Sequence, residues 1–306
     1  MYEYFKRVKN TIDTLSDVEI KEQIEVAVQV VFSKDEYKRY TASATNLTEI
    51  NALKDECRKV AVKLTENLLK GEFRPRFLEE NINDNSRIPT IRLNTEMGEL
   101  FIKGKIDRID VDKENNAYVL DYKTGSKTST RDDIYYGVNL QLFVYLSSVK
   151  NAGYRPVGAF LLPIKSGYSR DGFNLKMVGQ ILNDVNLLEK LEKGFLAREE
   201  RQSGTKTDSE VIEFSVKSNK KAELNFTSRT NCFDDAGFDY IFGYVKRVME
   251  NAVNEILAGN REKKPLNKCE DCCYYGVVCS GVDEENSRVK NSKALPFGNN
   301  INNAGK

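Results

Sequence analysis

The sequence predicts an α/β protein in which helices cover a β-sheet. Three observations support this prediction. Helical patterns of apolar residues cover residues 1–33 and 48–69, and short strand-like runs occupy residues 76–122. A helical stretch at 134–149 then leads into an apolar strand at 157–164, an order that is typical of a crossover connection back to the same sheet.

The two N-terminal helices carry local signals. Ser16 and Glu19 have the spacing of a capping box at the start of a helix. Cys57 falls on the apolar stripe of the second helix, so we expect it to pack in the core and not to bind a metal. Gly71 stands where a helix-ending glycine is expected. The stripe consists of Leu53, Cys57, Val60, Leu64 and Leu68.

Four strand-like runs separated by Asn, Asp and Gly are expected to form a β-meander. They span residues 76–81, 88–93, 99–110 and 117–122. Beyond residue 164 we predict a helix, a polar linker, a small hairpin and a long amphipathic helix that ends at Gly259. These elements lie at 181–196, 198–209, 211–216 with 222–226, and 238–256.

The composition excludes several classes of protein. The chain has 306 residues, with 47 Lys and Arg against 46 Asp and Glu, so any nucleic-acid surface must be a local patch. The apolar runs are too short for a membrane span and the N-terminus has no signal-peptide stretch, which predicts a cytoplasmic protein without membrane contact. The absence of His excludes histidine triads, His-rich zinc sites and histidine general bases.

Two carboxylates and an ammonium form the first candidate site. Period-two alternation places Asp121 and Lys123 on one face of their strand, and Asp107 approaches that face if the two strands pair as a hairpin. Such charges inside apolar strands cost several kcal/mol unless they are paired or bind a cation. Hard oxygen ligands favour Mg²⁺ or Mn²⁺, which suits phosphodiester hydrolysis. The competing interpretation is an Asp/Lys pair on a solvated face.

The helix that follows adds two polar groups. Gln141 and Tyr145 are four residues apart, so they share a helix face from which both can reach a phosphate or a metal-bound water. The alternative is a partly buried polar pair that only packs the helix.

These residues carry a family resemblance. The segments from Gly104 to Asp110 and from Asp121 to Gly125 are similar to motifs of the RecB-type branch of the PD-(D/E)XK nucleases, and within it to the C-terminal nuclease domain of AddB-type helicase–nuclease subunits. The helix segment from Tyr136 to Leu146 resembles a third motif of that branch. The resemblance implies a restriction-endonuclease-like core, a mixed β-sheet flanked by helices, acting on DNA as an exonuclease with an AddA-like partner subunit.

Carried over by position, the resemblance implies that Asp107 and Asp121 are metal ligands and Lys123 is the catalytic lysine. Gln141 and Tyr145 form the helix motif, and Glu79, with Glu80 as its rival, is a further ligand candidate. Family members usually carry an upstream His for which this chain has no counterpart. AddB proteins are also far longer, so we expect a fragment or an abbreviated relative.

Four clustered cysteines form the second candidate site: Cys269, Cys272, Cys273 and Cys279. Thiolates at such spacings bind Zn²⁺ or an iron–sulfur cluster. The resemblance favours a [4Fe-4S] cluster with the spacing Cys-x2-Cys-x5-Cys, which leaves Cys272 or Cys273 undecided as the middle ligand. Reduced cysteines in a surface loop are the alternative.

We interpret residues 1–285 as one nuclease domain followed by a loose tail at 286–306. Within it, residues 1–72 form N-terminal helices, 73–165 the catalytic core, 166–268 accessory strands and helices, and 269–279 the cysteine cluster. The leading hypothesis is a metal-dependent nuclease acting on single-stranded DNA in the processing of double-strand breaks. The alternatives are a catalytically impaired module for DNA binding or subunit docking, and a zinc-stabilised interaction protein.

Overall fold

The structure is a computed structural model. It describes residues 1–38, 40, 43–125, 131–164, 168–169, 172–173, 175–197, 206–218, 224–227 and 231–260. No helix in these ranges has the length and apolar character needed to cross a membrane.

Four helices precede the sheet: α1 (Tyr2–Val8), α2 (Asp17–Phe32), α3 (Asp35–Lys38) and α4 (Ala44–Leu69). The predicted capping box is confirmed at the start of α2, where the Glu19 N–H donates to the Ser16 hydroxyl and the Ser16 N–H donates to the Glu19 carboxylate. The helix α4 begins four residues before the predicted start because the Ser43 hydroxyl accepts a hydrogen bond from the Asn46 N–H and caps it there.

The strand-like runs form five strands: β1 (Arg74–Ile82), β2 (Ile91–Thr95), β3 (Gly98–Ile102), β4 (Gly104–Val111) and β5 (Asn116–Lys123). The strands β1, β4 and β5 are neighbours and antiparallel, whereas β2 and β3 pair only with each other. The prediction of a simple meander is therefore wrong. The predicted strand at 99–110 is two strands because Leu100 and Phe101 lie in an exposed hairpin, while Ile106 and the residues after it enter the core.

The predicted crossover is confirmed. The helices α5 (Arg131–Tyr135) and α6 (Gln141–Asn151) lead from β5 into β6 (Arg155–Pro163), which pairs parallel to β5. The single helix predicted at 134–149 is interrupted, since Gly137 has a φ of 71°, a left-handed conformation that ends α5 and lets α6 begin separately at Gln141.

The remaining elements are short except for the last helix. They are β7 (Tyr168–Ser169), β8 (Gly172–Phe173), β9 (Val178–Leu182), α7 (Asn186–Leu191), β10 (Lys206–Asp208), β11 (Ser215–Ser218), β12 (Leu224–Phe226), β13 (Cys232–Phe233) and α8 (Asp235–Leu257). The long amphipathic helix is confirmed as α8, and Gly259 follows it with a φ of 75°.

Two predictions in this region need correction. The helix predicted at 181–196 is wrong at its start because β9 is a strand buried between β6 and β13, and a short apolar run has no periodicity that separates it from a buried helix. The predicted hairpin exists as β11 and β12, shifted towards the C-terminus, and β10 joins it from within the predicted linker.

The main sheet has six strands in the order β1-β4-β5-β6-β9-β13 and contains both parallel and antiparallel pairs. The helix α1 packs on one face, where the Phe5 ring covers the Arg108 guanidinium at 4.3 Å. The helix α6 packs on the opposite face and α8 packs against α6. The predicted architecture, a mixed sheet flanked by helices, is confirmed.

The apolar stripe of α4 is buried from Val60 onward, with Cys57 half-buried against the core as expected. Leu53 is 43% exposed, so the stripe begins one turn later than predicted. The helix ends at Lys70 in a right-handed conformation, and Gly71 does not act as the predicted left-handed cap. A side chain at Gly71 would instead collide with the chain, since an ideal Cβ would lie 2.5 Å from the Leu191 carbonyl oxygen.

Replacement of Gly71 by Ala is expected to destabilise the fold by about 1–3 kcal/mol, because the backbone of α7 must move to make room. Urea unfolding measures this change in free energy. Gly125→Ala is the matched control, since no heavy atom lies within 4 Å of an ideal Cβ there. Equal unfolding midpoints for the two variants would contradict the close approach.

Candidate active site

The pairing of β4 with β5 brings two carboxylates to adjacent strands. Arg108 lies opposite Leu120, and the same register carried one step further places Asp107 opposite Asp121. The Asp107 Oδ2 atom accepts a hydrogen bond of 2.9 Å from the Tyr122 N–H. The hairpin geometry on which the candidate site depends is therefore present.

Asp121 is a buried carboxylate with an incomplete set of partners. Its Oδ2 atom forms an ion pair with the Lys123 ammonium but has no hydrogen-bond partner among the described residues. A buried carboxylate oxygen normally accepts hydrogen bonds, because loss of its hydration is costly. The Asp121 oxygen is therefore an available ligand inside the fold.

Lys123 connects the carboxylates to α6. Its Nζ atom lies 3.5 Å from the Gln141 Oε1 atom, and the Gln141 Nε2 atom donates to the Tyr145 hydroxyl at 2.8 Å. Gln141 is exposed at the first position of α6, whereas Tyr145 is buried one turn later. The structure thus places Asp121, Lys123, Gln141 and Tyr145 in one continuous polar chain.

Gly104 makes room for the end of this chain. An ideal Cβ at that position would lie 3.2 Å from the Tyr145 ring and 3.6 Å from its hydroxyl oxygen. The glycine at the start of β4 therefore has a packing role, because it allows the aromatic ring of α6 to approach the backbone.

Glu79 lies beside the carboxylates on β1. Leu78 pairs with Arg108 and Glu80 pairs with Ile106, so the intervening Glu79 is level with Asp107. Its backbone φ of 51° is in the left-handed region, which is uncommon for a residue with a side chain, and its carboxylate pairs with the Lys105 ammonium.

The charges of this cluster act on one another. Burial raises the pKa of the Asp107 carboxyl above its usual value, and the negative charges of Asp121 and Glu79 act in the same direction. The hydrogen bond from the Tyr122 N–H and the charge of Lys123 oppose the shift. The pKa of Asp107 thus responds to Glu79, Asp121 and Lys123 together.

A sequence profile described as the PD-(D/E)XK nuclease superfamily matches residues 5–280. The chain belongs to this superfamily. Its match extends over the six-stranded sheet, the helices on both faces and the cluster around Asp107 and Asp121.

Curated relatives of this PD-(D/E)XK chain are named as the B-type subunit of an ATP-dependent helicase/deoxyribonuclease. The protein of Alkaliphilus oremlandii is 28% identical over 274 residues, which cover 80% of this chain and 23% of the relative. The protein of Alkaliphilus metalliredigens is 26% identical over 277 residues, with 80% and 23% covered. That of Clostridium kluyveri is 26% identical over 255 residues, with 75% and 21% covered. The chain thus spans less than a quarter of these relatives.

The donor set of this PD-(D/E)XK site fits a hard divalent cation. Asp107 and Asp121 supply oxygen ligands, and the Asp121 Oδ2 atom has no competing hydrogen bond within the described part of the chain. The described residues contain no group of three or more His, Cys, Asp or Glu arranged around one metal position. A site of two carboxylates suits Mg²⁺, which usually keeps several waters and substrate oxygens in its shell.

A second polar cluster, on the opposite face of β4 and β5, was not anticipated from the sequence. The Arg108 Nε atom donates to Asp110 at 2.6 Å, the Tyr118 hydroxyl donates to Asp110 at 2.6 Å, and Arg108 also reaches the Tyr122 hydroxyl at 3.3 Å. Arg108 is 2% exposed and Asp110 is fully buried. Charges at alternate positions of an apolar strand are the signal that could have indicated this pair.

The cysteine cluster at Cys269, Cys272, Cys273 and Cys279 lies outside the described residues. Of the two cysteines within them, Cys57 is half-buried and Cys232 is buried in β13. Burial raises the pKa of the Cys57 thiol, which keeps it protonated near neutral pH.

Replacement of Arg108 by Met is expected to lower the free energy of unfolding by about 3–5 kcal/mol, because the Asp110 carboxylate would remain buried without its counter-charge. Guanidinium chloride unfolding measures the loss. The matched control is Arg155→Met, which removes an exposed ion pair with Asp235 and is expected to cost at most about 1 kcal/mol. Equal losses in the two variants would show that the buried pair has no special weight.

Proposed function

We propose that this domain hydrolyses phosphodiester bonds of DNA with the help of a divalent cation. The observation that supports the proposal most is the buried Asp121 Oδ2 atom, which lacks a hydrogen bond from the described residues and lies beside Asp107 and Lys123. Burial of such an oxygen is unfavourable in the isolated chain and becomes favourable when a cation is bound.

Asp107 and Asp121 would hold Mg²⁺ or Mn²⁺, with Glu79 as a third carboxylate at the same level of the sheet. When bound, the ion lowers the pKa of a water molecule and polarises the scissile phosphate. Glu79 rather than Glu80 is the appropriate candidate, since the charge of Glu79 acts on the pKa of Asp107.

Lys123, Gln141 and Tyr145 would act on the substrate. The Lys123 ammonium offsets negative charge that develops on the phosphate, or orients the attacking water, from its position against Asp121. Gln141 holds the Lys123 side chain through its Oε1 atom and the Tyr145 hydroxyl through its Nε2 atom. This chain of contacts fixes the ammonium relative to the helix α6.

The substrate and assembly are proposed from the relatives, whose name combines an ATP-dependent helicase with a deoxyribonuclease. We propose that the domain acts in the cytoplasm as an exonuclease on single-stranded DNA during the processing of double-strand breaks. The strand would be delivered by an AddA-like helicase–nuclease subunit.

A [4Fe-4S] cluster is a further part of the proposal. Its ligands would come from Cys269, Cys272, Cys273 and Cys279. Four thiolates so close together in the sequence favour a metal or cluster over simple packing. Iron and acid-labile sulfide analysis of anaerobically purified protein distinguishes this from zinc.

A second candidate function is a DNA-binding or subunit-docking module that keeps the fold without the chemistry. The ion pair between Lys123 and Asp121 favours it, because an ammonium against the carboxylate competes with a cation for the same oxygen. The two experiments below distinguish the candidates.

Metal binding is expected to depend on Asp107 and Asp121. Asp121→Asn should weaken Mn²⁺ binding by at least roughly 10-fold, since it removes the charge of a buried ligand. Electron paramagnetic resonance of free Mn²⁺ measures this without any substrate. Asp84→Asn, at an exposed residue paired with Arg92, is the matched control. Unchanged Mn²⁺ affinity in the Asp121 variant would remove the metal site from this position.

Cleavage is expected to depend on Lys123. Lys123→Ala should lower the rate on a single-stranded oligonucleotide with Mg²⁺ or Mn²⁺ by about 10²–10³-fold, because charge on the phosphate is no longer offset. Lys21→Ala, which changes an exposed lysine of α2, should cleave at the wild-type rate. Thermal unfolding confirms that both variants fold. Equal rates for wild type and Lys123→Ala, or no cleavage by wild type, would favour the module without chemistry.

A further inference from the structure

A basic cleft lies at the opposite end of β1 and β4 from the catalytic cluster. It is formed by the end of α1, the start of β1, the turn between β4 and β5, and the segment after α7. Five cations line it: Lys9, Arg76, Arg87, Lys113 and Lys193. None of these five side chains makes an ion pair within 4 Å to any described residue.

The acidic groups of the cleft are mostly neutralised by other partners. Asp13 is bound by Arg74, with an Nε–Oδ1 distance of 2.9 Å, and Asp112 is buried against Asn116 and Lys190. Glu72 is the remaining carboxylate of the lining. The cleft therefore has a strong excess of positive charge in a chain whose net charge is only +1.

The cations converge on one space. The hydrogen bond from Arg74 is the main cause that lowers the pKa of Asp13, and the charges of Lys193 and Lys113 lower it further. Lys113 belongs to the turn after β4 and Lys193 to the segment after α7, so residues distant in sequence act on the same point.

An aromatic surface accompanies the charge. Tyr154 lines the cleft half-buried, with its ring edge-on to Phe77 at 5.9 Å. The Arg87 guanidinium lies 5.9 Å from the same Phe77 ring. Cations that follow a backbone, combined with rings on which bases stack, are the usual composition of a single-stranded nucleic-acid surface.

The edge strand β1 connects the cleft to the catalytic cluster. A β-bulge between Pro75 and Phe77 places Arg76 at the irregular position of the strand. Arg76 is three residues before Glu79, a separation of roughly 10 Å along the strand. A ligand that enters the cleft therefore lies within a short distance of the carboxylates.

We propose that this cleft is a second binding site for single-stranded DNA, which holds the phosphates of the strand beside the catalytic cluster while Tyr154 stacks on a base. The inference rests on the proposed function, because it concerns the same strand. An acidic peptide satisfies the charge but gives Tyr154 no base to stack on, so DNA is the occupant that accounts for both features.

The test is the binding of a fluorescein-labelled oligo-dT of about 20 nucleotides in EDTA, where no cleavage occurs, at salt from about 50 to 200 mM. Lys113→Ala combined with Lys193→Ala should weaken binding roughly 10-fold at about 200 mM salt and reduce the salt slope by about 1.4, since each lost phosphate contact contributes about 0.7. The charge-matched control is Lys21→Ala combined with Lys217→Ala, two exposed lysines outside the cleft, which should bind like wild type.

The stacking contribution is tested separately. Tyr154→Leu should weaken oligo-dT binding by about 5-fold or more, whereas Tyr154→Phe should retain it. Oligo-glutamate of equal charge should bind weakly and be insensitive to Tyr154. Tighter binding of oligo-glutamate than of oligo-dT would overturn the proposal in favour of an acidic protein partner.

Equal oligo-dT affinity and salt slope for the cleft and control variants, or no binding by wild type, would overturn the second site. This outcome differs from failure of the proposed function. If Lys123→Ala cleaved like wild type while the cleft variants still lost binding, the catalytic assignment would fail and the cleft would stand.

Discussion

The antiparallel pairing of β4 with β5 is the constraint on which both polar clusters of this protein depend. One face of the pair carries Asp107, Asp121 and Lys123, and the other carries Arg108 and Asp110. Side chains alternate strictly between the faces, so a slip of one residue would move the carboxylates away from α6 and bury them against α1. The buried pair of Arg108 and Asp110 opposes such a slip, since neither charge can be accommodated elsewhere without its partner.

Tyr122 is the direct link between the two faces. Its backbone N–H donates to Asp107, and its hydroxyl accepts a hydrogen bond from Arg108. The position of one catalytic candidate is therefore tied to a network buried in the core. This arrangement is typical of sites in which a rigid supporting shell holds the reacting groups.

Local chemistry made a large part of the fold predictable. The capping box at Ser16 and Glu19 and the extent of α8 depend on residues close together in sequence, and both are confirmed. The hairpin β2–β3 and the strand β9 were not predictable, because their identity depends on which neighbour they pair with. An apolar run such as 178–182 has the same composition in a buried strand as in a buried helix.

The candidate site was predictable for a different reason. Charged residues within apolar strands are costly, so Asp107, Asp121 and Lys123 stand out in the sequence, and the structure brings Asp121, Lys123, Gln141 and Tyr145 into one chain of contacts. The same argument applies to Arg108 and Asp110, whose importance went unnoticed because motif similarity directs attention to only one face of the strand. The roles of all these residues in catalysis stay predictions.

The hairpin β2–β3 has a consequence for how this fold varies. The strands β1 and β4 pair directly with each other, so the 21 residues between Ile82 and Gly104 leave the sheet and return without contributing to its register. Met97, at the tip, is 77% exposed. This excursion is therefore a permissive insertion point, where a reporter peptide or an extra module can be accommodated by lengthening the tip while the strands beneath keep their alignment.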